Sequence, residues 1–437
     1  MIMATIKVDL SKKVKDMKIM HAGGQPPVIG ASFGHFHYLT EAEIPYSRLH
    51  DVGGPYGGGK YVDIPNIFRN FDADPYDENS YDFTFTDCLI TELVKAGVEP
   101  YYRLGITIEN YAYIKAYRTA PPKDYKKWAV ICEHIIRHYT EGWANGFCYK
   151  ITYWEIWNEP EVSRQQMWSG TPEQYYELYD VASKHLKSRF PHLKIGGYAS
   201  CGFYAIAPQI RIDPETLLPG TIPPSGAEQN LMKFFYGFFD YIKKHNSPID
   251  FFSWHSYADT SRIKIMDEWL NKELEKLGYA GLETHLNEWD PFAQEFGTAH
   301  HSAEVAGVML ALQHGNTDIC CIYDMRTNTA PYCPLFDIRT HKPIHAYYCM
   351  VAFNTLYKLK NQVQTEVDKN GLYVVCASNG KNHAMMISNL TGERVDLEFE
   401  GVDLSEARWH VIDNERLLSW SPQIKRLEVN DVVLIEW

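Results

Sequence analysis

The chain has 437 residues, 45% of them hydrophobic and 22% charged, ordinary proportions for a soluble globular protein large enough to hold more than one domain. Its 42 basic and 55 acidic residues give a formal charge of −13 with no long basic run, which argues against nucleic acid and anionic membrane as partners. Residues 1–8 lack the apolar core and small-residue cleavage site of a secretory signal, and no stretch reaches the roughly 18 apolar residues of a membrane helix. Nine cysteines without a CxxC pair do not form a disulfide pattern, so a reduced, cytoplasmic protein is expected.

From about residue 30 to about 345, short strand-like runs alternate with helical stretches, the pattern of βα units around a parallel sheet. The strand candidates are 27–33, 46–50, 99–104, a run over 149–154 that leads into Glu159, 194–198, 249–255, 283–287 and 318–323. Eight such strands predict an α/β fold, a closed (β/α)8 TIM barrel. A helix over 85–96 has Thr86-Asp87 as its cap candidate and stops at Gly97. Another over 123–139 carries Trp128, Ile131, Ile135 and Ile136 at helical spacing. Thr171-Pro172-Glu173-Gln174 reads as a Thr cap with Pro in the first turn of a helix over 175–189.

Past about residue 360 the pattern changes. Runs over 372–377, 384–388, 395–399 and 432–435 follow one another without helices, separated by the turn signals Asn379-Gly380 and Thr391-Gly392. The expected organisation is a catalytic barrel over 26–350 and an accessory antiparallel β-sandwich over 351–437. N-terminal strand material from 1–25, near Thr5 to Leu10, would complete the sandwich.

Asn158-Glu159-Pro160 stands just beyond the fourth strand candidate, inside Trp154-Glu155-Ile156-Trp157-Asn158-Glu159-Pro160-Glu161. Glu288 ends the seventh, immediately before Trp289. Barrel enzymes keep catalytic groups at the C-terminal ends of their strands. Two carboxyl groups there meet the needs of glycosidic hydrolysis, a proton for the leaving oxygen and a negative group facing the anomeric carbon. A lone Glu at a strand end is more often a solvated surface charge. The neighbours favour function: Asn158 offers an amide to a sugar hydroxyl, and Trp289 offers a pocket wall. A flanking apolar ring also raises a carboxyl pKa by desolvation, which a proton donor requires.

These motifs resemble a clan of (β/α)8 glycoside hydrolases that carry the acid/base on strand four and the nucleophile on strand seven. The run Tyr153 to Pro160 is similar to family 39 within that clan, the β-xylosidase family. The C-terminal β-domain and the linker over 335–343 resemble that family as well. The resemblance implies Glu159 as acid/base and Glu288 as nucleophile of a retaining double displacement, with Asn158 holding the hydroxyl next to the anomeric carbon. It implies that Arg48 and His50 on strand two line the subsite of the cleaved sugar, with Arg48 keeping the nucleophile ionised. It pairs His255 with Tyr257 on strand six, Tyr257 bonding the nucleophile. Two departures touch the expected pocket. Strand eight of the clan commonly ends in Trp, whereas the run here is Ile322-Tyr323-Asp324-Met325-Arg326, and the segment 52–60 after strand two is unusually rich in glycine.

Rival readings explain less. The segment 54–60 approaches a phosphate-binding loop, but Tyr61 stands where Ser or Thr would hold magnesium, and Val62-Asp63-Ile64-Pro65 is not expected to open a helix. A metal-dependent barrel of the amidohydrolase type would draw on His35, His37, His255 and Asp324 as ligands, and leaves Glu288 without a role. A non-catalytic sugar-binding barrel would be expected to lack one of the two carboxylates. The expected function is a retaining, exo-acting β-xylosidase on short oligosaccharides. The alternative is a glycosidase of the same clan acting on arabinose- or galactose-containing side chains. An oligosaccharide or glycoside is the expected partner. No cofactor, metal, nucleic acid or membrane contact is expected, and a homo-oligomer is left open.

Overall fold

Eight parallel strands close on themselves into a barrel in the computed structural model, which describes residues 2–29, 34–50, 52, 61–106, 119–162, 167–212, 215–216, 219–292, 295–327 and 332–437. A long first strand, β1 (Ile2–Asp16), precedes the barrel and belongs to a second sheet. The barrel begins with β2 (Ile19–Gly24), β3 (Tyr46–Leu49), β4 (Glu99–Leu104), β5 (Tyr153–Ile156) and β6 (Lys194–Ser200). A small hairpin, β7 (Ile210–Ile212) and β8 (Pro219–Thr221), interrupts the series. The barrel resumes with β9 (Phe251–Ser256), β10 (Glu283–Trp289) and β11 (Ile319–Ile322), which pairs back onto β2.

The first barrel strand is a correction. It is β2, and residues 27–29 of the expected run are not in a strand, while 30–33 lie outside the described residues. β2 hides because it ends in Gly23-Gly24, and glycine is a poor strand signal. A Cβ on Gly23 would lie 2.2 Å from the Met325 sulfur, so a larger residue there would have to displace the Met325 side chain. The barrel therefore starts before residue 26.

Two short helices, α1 (Phe36–Glu41) and α2 (Ile64–Ile67), precede the regular outer ones. One helical turn does form at α2, contrary to expectation, with Asp63 preceding it and Pro65 in its first turn. The outer helices are α3 (Thr84–Lys95), α4 (Tyr125–Thr140), α5 (Pro172–Arg189), α6 (Gly226–His245), α7 (Thr260–Leu277), α8 (Ala299–His314) and α9 (His345–Lys358). α3 begins two residues before Thr86, whose hydroxyl turns inward to the Tyr61 carbonyl and caps nothing. α4 is capped by Asp124, which accepts from the Lys127 amide. α5 has the expected Thr171 cap, completed by Gln174 as a reciprocal capping box. Among the described residues no helix is long and apolar enough to cross a membrane. The nine cysteines are free thiols, and Cys320 and Cys321 are buried in β11.

The C-terminal region supplies β12 (Asn361–Val367), β13 (Leu372–Ser378), β14 (His383–Asn389), β15 (Val395–Glu400), β16 (Arg408–Ile412), β17 (Ser419–Ser421), β18 (Arg426–Leu427) and β19 (Val432–Glu436). With β1 they form a nine-stranded curled sheet in the order β17-β16-β19-β14-β13-β12-β1-β15-β18. Its pairs are antiparallel except β1–β15, which run parallel. The curl encloses an apolar core of Ile6, Val374, Ile387, Trp409 and Val433 among others. The outer face of β13 and β14, with Val375 and Met386, joins the core of the barrel domain. α8 lies between the two layers and is buried around nearly its whole circumference, which explains why its sequence shows little amphipathic bias.

Candidate active site

Alternation along the barrel strands decides which side chains meet inside. On β5, Trp154 and Ile156 face the outer helices, whereas Tyr153 and Glu155 face inward. The lowest interior layer is aromatic. Tyr101 stacks on Tyr153 at 5.3 Å between centroids, and Phe251 stacks on His285 at 4.7 Å.

Above it lies a buried ionic layer. Arg48 on β3 is fully buried and donates Nε to Glu155 Oε2 at 2.8 Å, Nη1 to Glu288 Oε2 at 3.1 Å and Nη2 to Asn158 Oδ1 at 2.5 Å. Glu155 Oε1 also accepts from Ser253 Oγ and Asn287 Nδ2, each at 2.6 Å. Taking such charges out of water is affordable only when each is paired and hydrogen-bonded, and this layer meets that condition.

The mouth of the barrel holds the two carboxylates. Beyond β5 the chain turns sharply, with Trp157 at φ 72° and Glu159 at φ 44°, left-handed values that non-glycine residues rarely adopt. Packing holds the turn: the Trp157 amide donates to Leu104 O at 2.7 Å, and the Glu159 amide to Ala199 O at 3.1 Å. Local strain of this kind concentrates at functional sites. Across the mouth, the register of β10 against β9 slips between Leu286 and Glu288. That irregularity lets both Asn287 and Glu288 reach the interior, where they bond Glu155 and Arg48.

His255 bridges the pair. Its Nδ1 lies 2.6 Å from Glu159 Oε1 and 3.7 Å from Glu288 Oε2. One oxygen from each carboxylate and this nitrogen all fall within 4.8 Å of one another. Tyr257 donates its hydroxyl to Glu288 Oε1 at 2.7 Å, and its own amide donates to Tyr204 Oη at 2.8 Å. Burial pushes His255 down to about 4, so its ring is neutral near pH 7. A neutral ring shares one proton with Glu159. Nδ1–H donates to an ionised Glu159, and a protonated Glu159 donates to a bare Nδ1. Burial also raises the Glu288 carboxyl and Glu159 adds to that, while His255, Arg48 and Tyr257 pull it back.

Arg48, Asn158, Glu159, His255, Tyr257 and Glu288 are thus brought into one hydrogen-bonded cluster. His50 is buried at the mouth end of β3, one residue beyond Leu49. Trp289 is different. It is fully buried in the apolar core shared with the outer helices, because the residue after Glu288 points to the opposite side of β10, so it presents no ring to the mouth. His35 bonds the His341 carbonyl and packs on Phe336, His37 is exposed against Tyr38, and Asp324 is closed by Arg326 at 2.9 Å. The four ligands of the metal-dependent reading are therefore not grouped among the described residues, and the one cluster with metal-ligating atoms close together is Glu159, His255 and Glu288. The glycine-rich segment 53–60, with its near phosphate-loop pattern, lies outside the described residues.

Several site residues escaped the sequence reading. Glu155 sat in view, and its signal was a charged residue at an inward position of a strand buried on both faces. Tyr332, 39% exposed, lies 5.2 Å from the Tyr257 ring and 5.9 Å from Tyr323, adding aromatic surface on the side where strand eight lacks a Trp. Tyr323 itself accepts from Gln25 Nε2 at 2.5 Å. Its partner lies about 300 residues away in sequence, a pairing that no local pattern reveals.

A (β/α)8 barrel with an accessory β-domain and two carboxylates facing one another at its mouth defines the class, that of barrels organised as carbohydrate-active enzymes. The model of Glycosyl hydrolases family 39 matches residues 56–281, and the chain belongs to this family. A β-xylosidase of Geobacillus stearothermophilus is 26% identical over 229 residues, a match that covers 50% of this chain and 39% of that protein. A glucosidase of Croceicoccus marinus shares the fold with a TM-score of 0.77 at 19% identity, over 100% of this chain and 99% of that one. A monomeric β-xylosidase of Caulobacter crescentus does so with a TM-score of 0.67 at 15% identity, over 99% of each.

Proposed function

We propose that this protein hydrolyses β-glycosidic bonds with retention of configuration, as an exo-acting β-xylosidase on short oligosaccharides. Glu288 is the nucleophile and Glu159 the acid/base. The observation that carries this reading is the approach of the two carboxylates, with one oxygen of each within 4.8 Å. Retaining glycosidases place their carboxyl groups about 5–5.5 Å apart, whereas inverting ones need roughly 6.5–9.5 Å to admit a water. The β-xylosidase activity of the Geobacillus relative supports xylose as the sugar.

In the first step a Glu288 oxygen forms a bond to the anomeric carbon as the glycosidic bond breaks. The leaving oxygen takes the proton of Glu159 and departs as an alcohol. In the second step Glu159, now a carboxylate, takes a proton from water, whose oxygen bonds the anomeric carbon and releases Glu288. Arg48 and Tyr257 support the ionised nucleophile through one donor on each of its oxygens. Asn158 accepts from Arg48 through Oδ1, which leaves its NH2 group to bond the hydroxyl beside the anomeric carbon. His50 borders the cleaved sugar.

A panel of aryl xyloside, arabinoside, galactoside and glucoside identifies the sugar, with fastest turnover expected on the xyloside. Fastest turnover on the arabinoside or galactoside would favour the side-chain alternative. Glu288→Ala is expected to abolish turnover, with added azide giving the glycosyl azide of inverted configuration. Full activity in this variant would overturn the nucleophile assignment.

A further inference from the structure

Three ligand-type atoms converge at the barrel mouth. His255 Nδ1, Glu159 Oε1 at 2.6 Å from it and Glu288 Oε2 at 3.7 Å form a compact triangle, open to solvent on the Glu159 side. A tetrahedral zinc ion with bonds of about 2.0–2.2 Å holds its ligands about 3.3–3.6 Å apart. His255 and Glu288 already stand near that spacing, and Glu159 would draw back from the ring by roughly 0.7–1 Å, a small turn of one side chain. Charge fits as well. Arg48 faces this cluster, but Glu155 balances it at 2.8 Å, which leaves two carboxylates for one divalent cation. Tyr257 bonds the other Glu288 oxygen, Oε1. The far side of the ring supplies a second, independent sign. His255 Nε2 and Asn287 Oδ1 are both buried without a hydrogen-bond partner, and Asn287 sits in the register slip of β10 beside the Glu288–His255 pair. An Nε2–H directed at Asn287 Oδ1 would leave the Nδ1 lone pair free for a metal, and metal-bound histidines commonly hold their second nitrogen in such a bond.

We propose that Glu159, His255 and Glu288 form an inhibitory site for a divalent cation of the zinc type. The donor set selects the metal. One imidazole with two carboxylates suits zinc and its transition-metal neighbours, whereas magnesium and calcium prefer oxygen ligands alone and more of them. The cation takes the place of the proton between Glu159 and His255 and pairs with Glu288, so it fills the space between the two carboxylates. Binding rests on the geometry alone. Loss of turnover on binding rests, in addition, on the proposed reading of Glu159 and Glu288 as the catalytic pair. With both carboxylates engaged as ligands, neither can attack carbon or deliver a proton, so the metal-bound form is inactive.

The test titrates zinc chloride into chelator-treated, dialysed protein and follows binding by calorimetry. Wild-type protein is expected to take up one tightly held zinc per chain. His255→Ala and Glu288→Gln each remove one ligand, and thermal melts verify that each variant folds. Each should weaken the tight site by about tenfold or more, since even the outer partners of a metal site are worth about 10–100-fold in affinity. His300, whose Nδ1 lies 2.6 Å from Glu295 Oε2, is the rival surface ligand, and His300→Ala should keep the wild-type affinity. Magnesium chloride should give no comparable binding. Wild-type protein without a tight zinc, an unchanged affinity in the folded His255 and Glu288 variants, or a loss in His300→Ala instead, overturns the proposal. On whichever aryl glycoside turns over, zinc should raise KM and leave kcat in place, with full recovery on adding chelator; a fall in kcat alone would put the metal elsewhere and overturn it too. Wild-type protein that binds zinc as expected but hydrolyses no member of the panel would overturn the glycosidase reading and leave the metal site standing.

Discussion

Tyr257→Phe isolates one interaction at Glu288, the proposed nucleophile. The hydroxyl donates to Glu288 Oε1 at 2.7 Å, while Arg48 holds the other oxygen at 3.1 Å, and Phe keeps the ring in place. A hydrogen bond to a charged group contributes about 1.5–3 kcal/mol, and 1.36 kcal/mol corresponds to one pKa unit. Losing this donor should therefore raise the Glu288 carboxyl by about 1–2 units. The hydroxyl favours the ionised form, so without it ionisation needs a higher pH. The acid limb of kcat/KM reports the essential base of the free protein and should move upward by that amount. On the plateau above the limb the loss should be smaller, because Glu288 gives up its charge as it bonds the anomeric carbon. The assay is kcat/KM on an activated aryl xyloside from about pH 4 to pH 9, a substrate whose departure needs little help from an acid. An acid limb that stays in place, or moves to lower pH, would refute the reasoning.

Three further perturbations test other parts of the site. Arg48→Met removes the cation between Glu155 and Glu288 and should cost about 3–5 kcal/mol of stability, the effect of breaking a buried ion pair; urea unfolding measures it, and a loss below about 1 kcal/mol would contradict the ionic layer. Glu159→Ala should slow natural disaccharides far more than aryl glycosides with good leaving groups, and equal losses on both would count against an acid role. Burial first, and Glu159 next among the groups that raise it, push Glu161 from 4.5 up to about 8. Across that window the unfolded chain has lost a proton that the folded protein keeps, so stability should fall with rising pH by up to about 1.4 kcal/mol per unit. Glu161→Gln removes this term, and its melting temperature relative to wild type should rise between pH 5 and pH 8; a constant difference would refute the burial of a neutral carboxyl.

Much of the barrel is legible in the sequence because strands buried on both faces read as continuous apolar runs. β4 occupies 99–104 as expected, and β10 and β11 fall within two residues of their expected ends. β2 is not legible, since Gly23, packed close against Met325, carries little strand propensity, while the more strand-like run after it is not a strand over its described residues 27–29. Glu159 and Glu288 stand out because each follows a strong strand. Trp289 misleads for the same reason, as adjacency in sequence puts neighbouring side chains on opposite faces. β12 and β16 were missed because Gln362, Gln364 and His410 break the apolar pattern of an accessory sheet with solvent on one side.

What distinguishes the two mouth carboxylates is the charge of their neighbours. Arg48 spends its donors on Glu155, Glu288 and Asn158, so the carboxylate on β10 faces a permanent cation. Glu159 instead meets His255 at 2.6 Å, a ring that burial keeps neutral near pH 7. A carboxyl facing a cation is favoured as the anion, whereas one sharing a proton with a neutral imidazole can hold that proton and release it. Close approach adds to the asymmetry, because two carboxylates within 4.8 Å disfavour simultaneous ionisation. On the proposed assignment the shared proton is the one that Glu159 delivers to the leaving oxygen. In the proposed mechanism the negative charge of Glu288 disappears in the covalent intermediate, which would let Glu159 ionise more easily for the second step. On the proposed assignment Arg48 keeps the nucleophile ionised, so a variant that keeps both mouth carboxylates but inverts the charge beneath them, such as Arg48→Glu, should lose turnover even with good leaving groups. Retained activity on β-xylosyl fluoride in that variant would show that the roles are set elsewhere.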